Sequence, residues 1–373
     1  MYLKHYWVKC DTNYIYFLEG NLKNQREESI DFIKGLGIFL VVIGHSGFKY
    51  RNVIYLFHMA LFFIASGYCY KFQPDVNIVW WIKKKLKALY IPNFVSVITV
   101  LLLNNILIDL HIVSETVYLR LSLVEFIKRF CKAICFGGGD QLLGANWFFR
   151  TLFFGILMYE LVNRILPDRW NIFITRLIIY MAALIGGWLL TLNFGHGMYF
   201  NILSVPILLE IGYLFKSFNI FNKFMNKQLS VIYMIGALLI LLLLSLFGTI
   251  TLNYNVITNP IFFLLCSIIG FCLSVSIYKL CIQLSKLVIL TFNYLGRNSI
   301  WIMMLHFISF KFIALLQIGF YGDGIEKLAS HPVYISSGGW WVVYSIAGIC
   351  IPILVMVLFR KGSILFNQYL IRN

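Results

Sequence analysis

Charge is what this 373-residue chain has least of. Asp, Glu, Lys and Arg supply 12% of it, about half the share of an ordinary soluble domain and too little to cover a water-facing surface. Acids are the scarcer sign, 15 against 31 Lys and Arg, for a net charge of +16. On a soluble protein that excess would suggest a nucleic-acid partner; in a chain this apolar its placement suggests membrane orientation, and no nucleic acid is expected. Also missing are an internal repeat at solenoid periods, an appended soluble module and, within residues 1–28, the cleavable apolar core of a signal peptide. The eight cysteines are scattered, mostly within apolar runs. Cys131 and Cys135, one helical turn apart, suit neither a disulfide nor zinc. The cysteines are assigned to packing, and no metal is expected.

What is present is hydrophobic residue: 60% of the chain, 17% of it aromatic, with a mean hydropathy of +0.82. Apolar runs of about 20 residues mark membrane spans. Ten are predicted, centred on 30–48, 53–70, 88–108, 146–163, 173–193, 201–215, 230–249, 258–279, 297–317 and 340–359, with Pro206 placed to kink the sixth. The fold class is therefore an all-α, polytopic bundle of about ten transmembrane helices. Positive residues on cytoplasmic loops set the orientation. With the N-terminus inside, Lys71, Lys83, Lys84, Lys85, Lys87, Arg164, Lys216, Lys279 and Arg360 fall inside, while segments 194–200 and 250–257 carry no Lys or Arg. Both termini are then cytoplasmic: a lead-in at 1–28, a membrane domain at 29–360 with a long outer loop at 109–145, and a tail at 361–373. Part of that outer loop, SETVYLRLSLVEFIKRFCKAICF, is amphipathic and suited to lie on a membrane surface.

The densest chemistry lies in residues 30–70. His45 sits inside an apolar run, eleven residues after Lys34. An ionisable group in lipid costs about 3 kcal/mol on insertion scales, so it is usually there for a reason. Eleven residues make about three turns, which puts Lys34 and His45 on one helix face about 16 Å apart, with Asp31 near the same stripe. His58 enters the second span at a depth similar to that of His45 in the first. A neutral imidazole can take a proton from a hydroxyl or accept an acyl group itself, and the residues alone leave both routes open.

The segments IDFIKGLGIFLVVIGH and FHMALFFIASGYCYK, the cluster KKKLKALYIPNF, the stretch NWFFR and the block YLGRNSIWIMMLHF stand in that order along the chain. Together they resemble the acyltransferase 3 family of integral membrane O-acyltransferases, particularly its fucose-4-O-acetylase-like branch, from about Ser29 to Phe359. In the family pattern an arginine precedes the histidine by eleven positions; Lys34 stands there and keeps the charge without arginine's planar fork. Ala60 replaces a usual proline, and Phe149 and Arg150 replace a usual Leu-Pro pair.

The resemblance implies transfer of an acyl group, usually acetyl, from cytosolic acetyl-CoA to a hydroxyl of an envelope glycan or lipid-linked sugar, in a bacterial inner membrane. His45, Lys34 and His58 are the implied catalytic residues. Lys84 and Lys87 fit the family's basic pair for donor phosphates; Asn298, at a helix start whose amides can face phosphate, joins them and Lys34 at the donor. Asp31, Trp147, Arg150, Glu210 and His306 are candidate substrate contacts, since acids, cations and imidazoles in apolar runs need partners. The rival reading is a proton-coupled transporter of a glycan or acyl lipid, which the absence of symmetry-related broken helices disfavours. Homo-oligomerisation is left open.

Overall fold

The computed structural model describes residues 27–138, 141–166, 172–196, 199–223 and 227–372; the expected lead-in lies outside them except for its last two residues. It is mostly helical (78%) with almost no sheet. In chain order the helices are α1 (Glu28–His45), α2 (Arg51–Tyr55), α3 (His58–Tyr68), α4 (Ile78–Lys85), α5 (Ile91–Asp109), α6 (Leu123–Ile134), α7 (Trp147–Ile165), α8 (Ile172–Phe194), α9 (Val205–Ser217), α10 (Ile220–Lys223) and α11 (Lys227–Leu244). A two-stranded hairpin, β1 (Ile250–Thr251) with β2 (Val256–Ile257), precedes α12 (Pro260–Leu284), α13 (Lys286–Arg297), α14 (Ser299–Tyr321) and α15 (Trp340–Arg372).

Every one of the ten expected segments is helical, but by length and composition six helices of the described residues can cross a membrane: Ile78–Asp109, Phe173–Phe194, Phe200–Ser217, Pro260–Leu284, Ser299–Tyr321 and Trp340–Phe366. The other four fall short for local reasons. Helix α1 carries Glu28, Asp31 and Lys34 in its first two turns. The second segment is not one helix: α2 and α3 are separated at Leu56 and Phe57, and α3 has 11 residues. Helix α7 contains Arg150, Glu160 and Arg164, and α11 has an apolar stretch of only Ser230–Leu244. A π-helical turn, Leu86–Tyr90, joins α4 to α5 without a break. Pro206 stands in the first turn of α9, after a 3₁₀ turn at Phe200–Ser204, so it begins a helix and does not kink one. The segment expected as a tail continues α15 as far as Arg372.

Helices α1 and α3 are the central posts. All of α3 except Ser66 is buried, as expected of a helix apolar on every face and enclosed by others. Two close crossings hold these posts. A Cβ on Gly296 of α13 would strike the Asp31 carbonyl oxygen of α1, and one on Gly67 of α3 would strike the Leu209 carbonyl oxygen of α9. Small residues at such crossings let backbones approach where lipid supplies no hydrophobic drive for helices to pair. Helix α6 realises the expected amphipathic segment: the Ser122 hydroxyl accepts from Glu125 N at 3.3 Å at its start, and Leu123, Val124 and Ile127 are exposed along it.

Candidate active site

Helix α1 stops at His45, where Ser46 N donates back to Val42 O at 3.0 Å. The short α2 then brings Tyr55 against that end. Its hydroxyl donates to Gly44 O at 3.0 Å and lies 3.3 Å from His45 Nδ1. With the phenol proton on the Gly44 carbonyl, the phenol oxygen accepts from Nδ1–H, the tautomer in which Nε2 of His45 carries the lone pair.

Two further imidazoles are fixed in the same tautomer. His58 Nδ1 donates to Ile54 O at 2.9 Å, and His306 Nδ1 donates to Ile302 O and Met303 O at 3.0 Å. Carbonyls only accept, so both rings carry the proton on Nδ1 and present Nε2 as a lone pair. His306 is fully buried and its Nε2 has no hydrogen-bond partner. The His45 and His306 rings stack at 5.5 Å, with Phe307 4.8 Å from the former and 4.2 Å from the latter. The Tyr55 ring stacks on His58 at 5.2 Å. No carboxylate hydrogen-bonds any of these three imidazoles among the described residues. The site is therefore rich in neutral bases and provides no anion to stabilise an imidazolium for long.

A cavity of about 240 Å³ opens beside His45. Val41, His45, Tyr55, His58 and Met59 form one wall, and Gly144, Trp147 and hairpin residues 250–254 form the other. Beyond Phe307, Lys311 Nζ donates to Leu328 O and Ser330 O at 2.8 and 2.9 Å. That clamp seats His331 on Phe307, ring centroids 5.0 Å apart. One edge of His331 reaches solvent, while burial of the rest, reinforced by the Lys311 ammonium, pushes its pKa down to about 4.

The expected residues divide into groups. His45, His58 and Trp147 line the cavity, and the buried His306 stacks on His45 without lining it. Lys34 lies three turns back along α1, half-buried. Asp31 of the same stripe is buried and accepts from Arg297 Nε at 2.8 Å, a partner 266 positions away that sequence spacing does not reveal. Of the lysine cluster, Lys84 and Lys87 are exposed, Lys84 standing over the Trp80 ring at 5.1 Å. Lys85 turns inward, half-buried and within electrostatic reach of Lys34 and Glu160. Asn298 donates to Tyr294 O at 2.8 Å and accepts from Arg360 Nη2 at 3.2 Å. Arg150 is buried with its guanidinium over Tyr199 at 4.5 Å. Glu210, an acid in an apolar run that needs a partner, pairs with Arg176 at 3.1 Å and accepts from the Tyr159 hydroxyl at 2.6 Å.

Sequence reasoning missed Tyr55 and the hairpin, and did not set Lys85 apart from the other lysines of its cluster. Tyr55 offered a faint signal, three residues before His58. Lys85 was hidden in a run of lysines whose facing depends on the π turn that follows. The hairpin strands are two residues each, too short for any periodicity.

Residues 27–359 match a family model described as an acyltransferase domain, Acyl_transf_3. No curated protein and no solved structure matches the chain.

Proposed function

The chain belongs to that acyltransferase family, as a multi-pass membrane protein, and from this premise we propose that it is an O-acetyltransferase that moves acetyl from cytosolic acetyl-CoA to a hydroxyl of an envelope glycan or lipid-linked sugar in a bacterial inner membrane. The observation that supports the reading is the place of His45: beside the Tyr55 hydroxyl, in the lining of a cavity, on a helix whose other half holds Lys34 near Lys85.

In the proposed reaction the acceptor hydroxyl oxygen attacks the thioester carbonyl while His45 Nε2 takes its proton. The C–S bond breaks, and the proton passes from His45 to the departing sulfur. The products are the O-acetyl ester and CoA thiol, and His45 returns to its starting state. Among the described residues no carboxylate hydrogen-bonds His45, which suits a base that returns its proton to the leaving group in the same cycle. Direct transfer is favoured over an acyl-histidine intermediate because the cavity beside His45 has room to place the acceptor against Nε2 together with the acetyl carbon. A bound acceptor that fills the cavity would displace the water that otherwise hydrolyses the thioester.

In the proposed orientation, with both termini cytoplasmic, the α1 end that carries Lys34 faces the donor. Lys34 and Lys85 then attract the CoA phosphates, with Lys84 and Lys87 on the exposed approach. Detergent-purified protein should release CoA from acetyl-CoA, and His45→Ala should abolish that release. Release at an equal rate in a folded His45→Ala protein would remove His45 from the chemistry.

A further inference from the structure

The hairpin that roofs the cavity is held by more polar machinery than a two-residue ladder needs. Asn255, fully buried, donates to Gly187 O at 3.0 Å and to the Thr191 hydroxyl at 2.8 Å, and accepts from the Ser204 hydroxyl at 3.0 Å. Asn201, also fully buried, donates to Leu252 O at 3.1 Å and Asn253 O at 3.3 Å, and accepts from the Thr151 hydroxyl at 3.1 Å. Two asparagines thus tie the turn to α7, α8 and the start of α9. Buried polar networks are costly unless every member is satisfied, and once satisfied they fix one geometry. Asn255 also takes the left-handed conformation, φ 54°, at the end of the turn, a position that asparagine tolerates better than most residues. A loop whose only task was to connect α11 to α12 would not require this.

What the network holds in place are side chains that it does not use. Thr251 and Asn253 line the cavity and make no side-chain hydrogen bond among the described residues. Tyr254 lines it as well and is 47% exposed, and Trp147 lies in the same lining. Two aromatic faces, a hydroxyl and an amide with open valences are the chemistry of a sugar: its C–H faces lie on aromatic rings and its hydroxyls exchange hydrogen bonds with short polar side chains. A lipid tail would leave Asn253 and Thr251 unsatisfied.

Size narrows the ligand further. An engineered cavity of about 150 Å³ holds one benzene. The 240 Å³ here suffices for one six-membered ring with its substituents and the acetyl group; the cavity is open at the exposed Tyr254, so further rings of a longer glycan extend out of it.

Resting on the acetyltransferase reading, we propose that the hairpin 250–255 is the acceptor-recognition element and that it admits a single pyranose ring, stacked by Tyr254 and Trp147 and hydrogen-bonded by Asn253 and Thr251, against His45. The acceptor hydroxyl is selected by how that one ring is held. Longer glycans enter by their terminal residue.

The test measures CoA release from acetyl-CoA by the full-length purified protein in the presence of methyl pyranosides of glucose, galactose, mannose, fucose, rhamnose and N-acetylglucosamine. At least one should accelerate release with saturation. Tyr254→Ala should raise its half-saturating concentration about tenfold, the loss expected for one stacking contact, with most of the effect in KM and little in kcat. Tyr254→Phe should restore the wild-type value, which a folding defect would not do. Two results overturn the proposal while leaving the acetyltransferase reading intact: His45-dependent CoA release that no methyl pyranoside accelerates, or acceleration whose half-saturation is unchanged in a folded Tyr254→Ala protein. Absence of any His45-dependent release overturns the acetyltransferase reading, and the proposal with it.

Discussion

Arg176→Leu should be among the most damaging single substitutions in this protein. Glu210 is fully buried; its two oxygens are met by the Tyr159 hydroxyl at 2.6 Å and Arg176 Nη2 at 3.1 Å. Arg176 also donates to Asn163 Oδ1 at 2.9 Å and stands over the Tyr213 ring at 5.2 Å. Removing the guanidinium leaves a buried carboxylate with one hydroxyl donor, a loss of about 3–5 kcal/mol. Glu210→Gln is milder, about 2 kcal/mol, because an amide oxygen still accepts from Tyr159 and Arg176 keeps Asn163 and Tyr213. The double variant removes both charges together and should be about as stable as Arg176→Leu alone and not a further 2 kcal/mol weaker, a coupling of about 2 kcal/mol. The assay is unfolding in mixed micelles as the denaturing detergent is titrated, followed by tryptophan fluorescence. A near-wild-type Arg176→Leu midpoint, or strictly additive losses in the double variant, would refute the buried pair. If Glu210 instead meets substrate, Glu210→Gln will change an acceptor KM and leave the midpoint alone.

Three other substitutions probe the posts, the lysine cluster and the segment between α14 and α15. Gly296→Leu places a side chain on the Asp31 carbonyl of α1, where nothing but backbone can move; it should cost at least 3 kcal/mol and be seen as loss of monodisperse protein on size exclusion. Lys85→Met should raise the KM for acetyl-CoA about tenfold, more than Lys84→Met, because Lys85 is turned toward Lys34 and Lys84 is exposed over Trp80; equal effects would contradict the inward assignment. For His331, the folded pKa of about 4 lies below the unfolded value of 6.5, so between these pH values the unfolded chain binds more protons and stability rises with pH. The contribution is complete above pH 6.5 and is lost as pH falls toward 4. His331→Asn should flatten that part of the stability-against-pH curve, and superimposable curves would place the imidazole in free solvent.

How much was legible in advance differs between elements and partners. The spacing of Lys34 and His45 on one helix face is a local property, and α1 carries it through to the cavity. Apolar runs located all ten helical segments, because period and length are local as well. The break between α2 and α3 was not legible: Leu56 and Phe57 are apolar, and only the packing of Tyr55 on Gly44 and His45 explains why the chain turns there. Asp31 with Arg297 and Glu210 with Arg176 were beyond reach for a related reason. An acid in an apolar run announces that it needs a partner, but which partner depends on how helices distant in sequence pack. His306 was placed as a substrate candidate by its motif; its stacking on His45 comes from the packing of α14 on α1. The hairpin gave no signal, since its anchoring depends on Asn201 and Asn255 meeting from different parts of the chain.

The most direct measurement of the central claim is CoA release from acetyl-CoA by the detergent-purified protein, wild type against His45→Ala, with both shown to be folded by their unfolding midpoints. The account predicts slow release by the wild type without acceptor, faster release with one, and neither in the variant. Wild-type protein that neither binds nor cleaves acetyl-CoA, or a folded His45→Ala protein as active as the wild type, would contradict it.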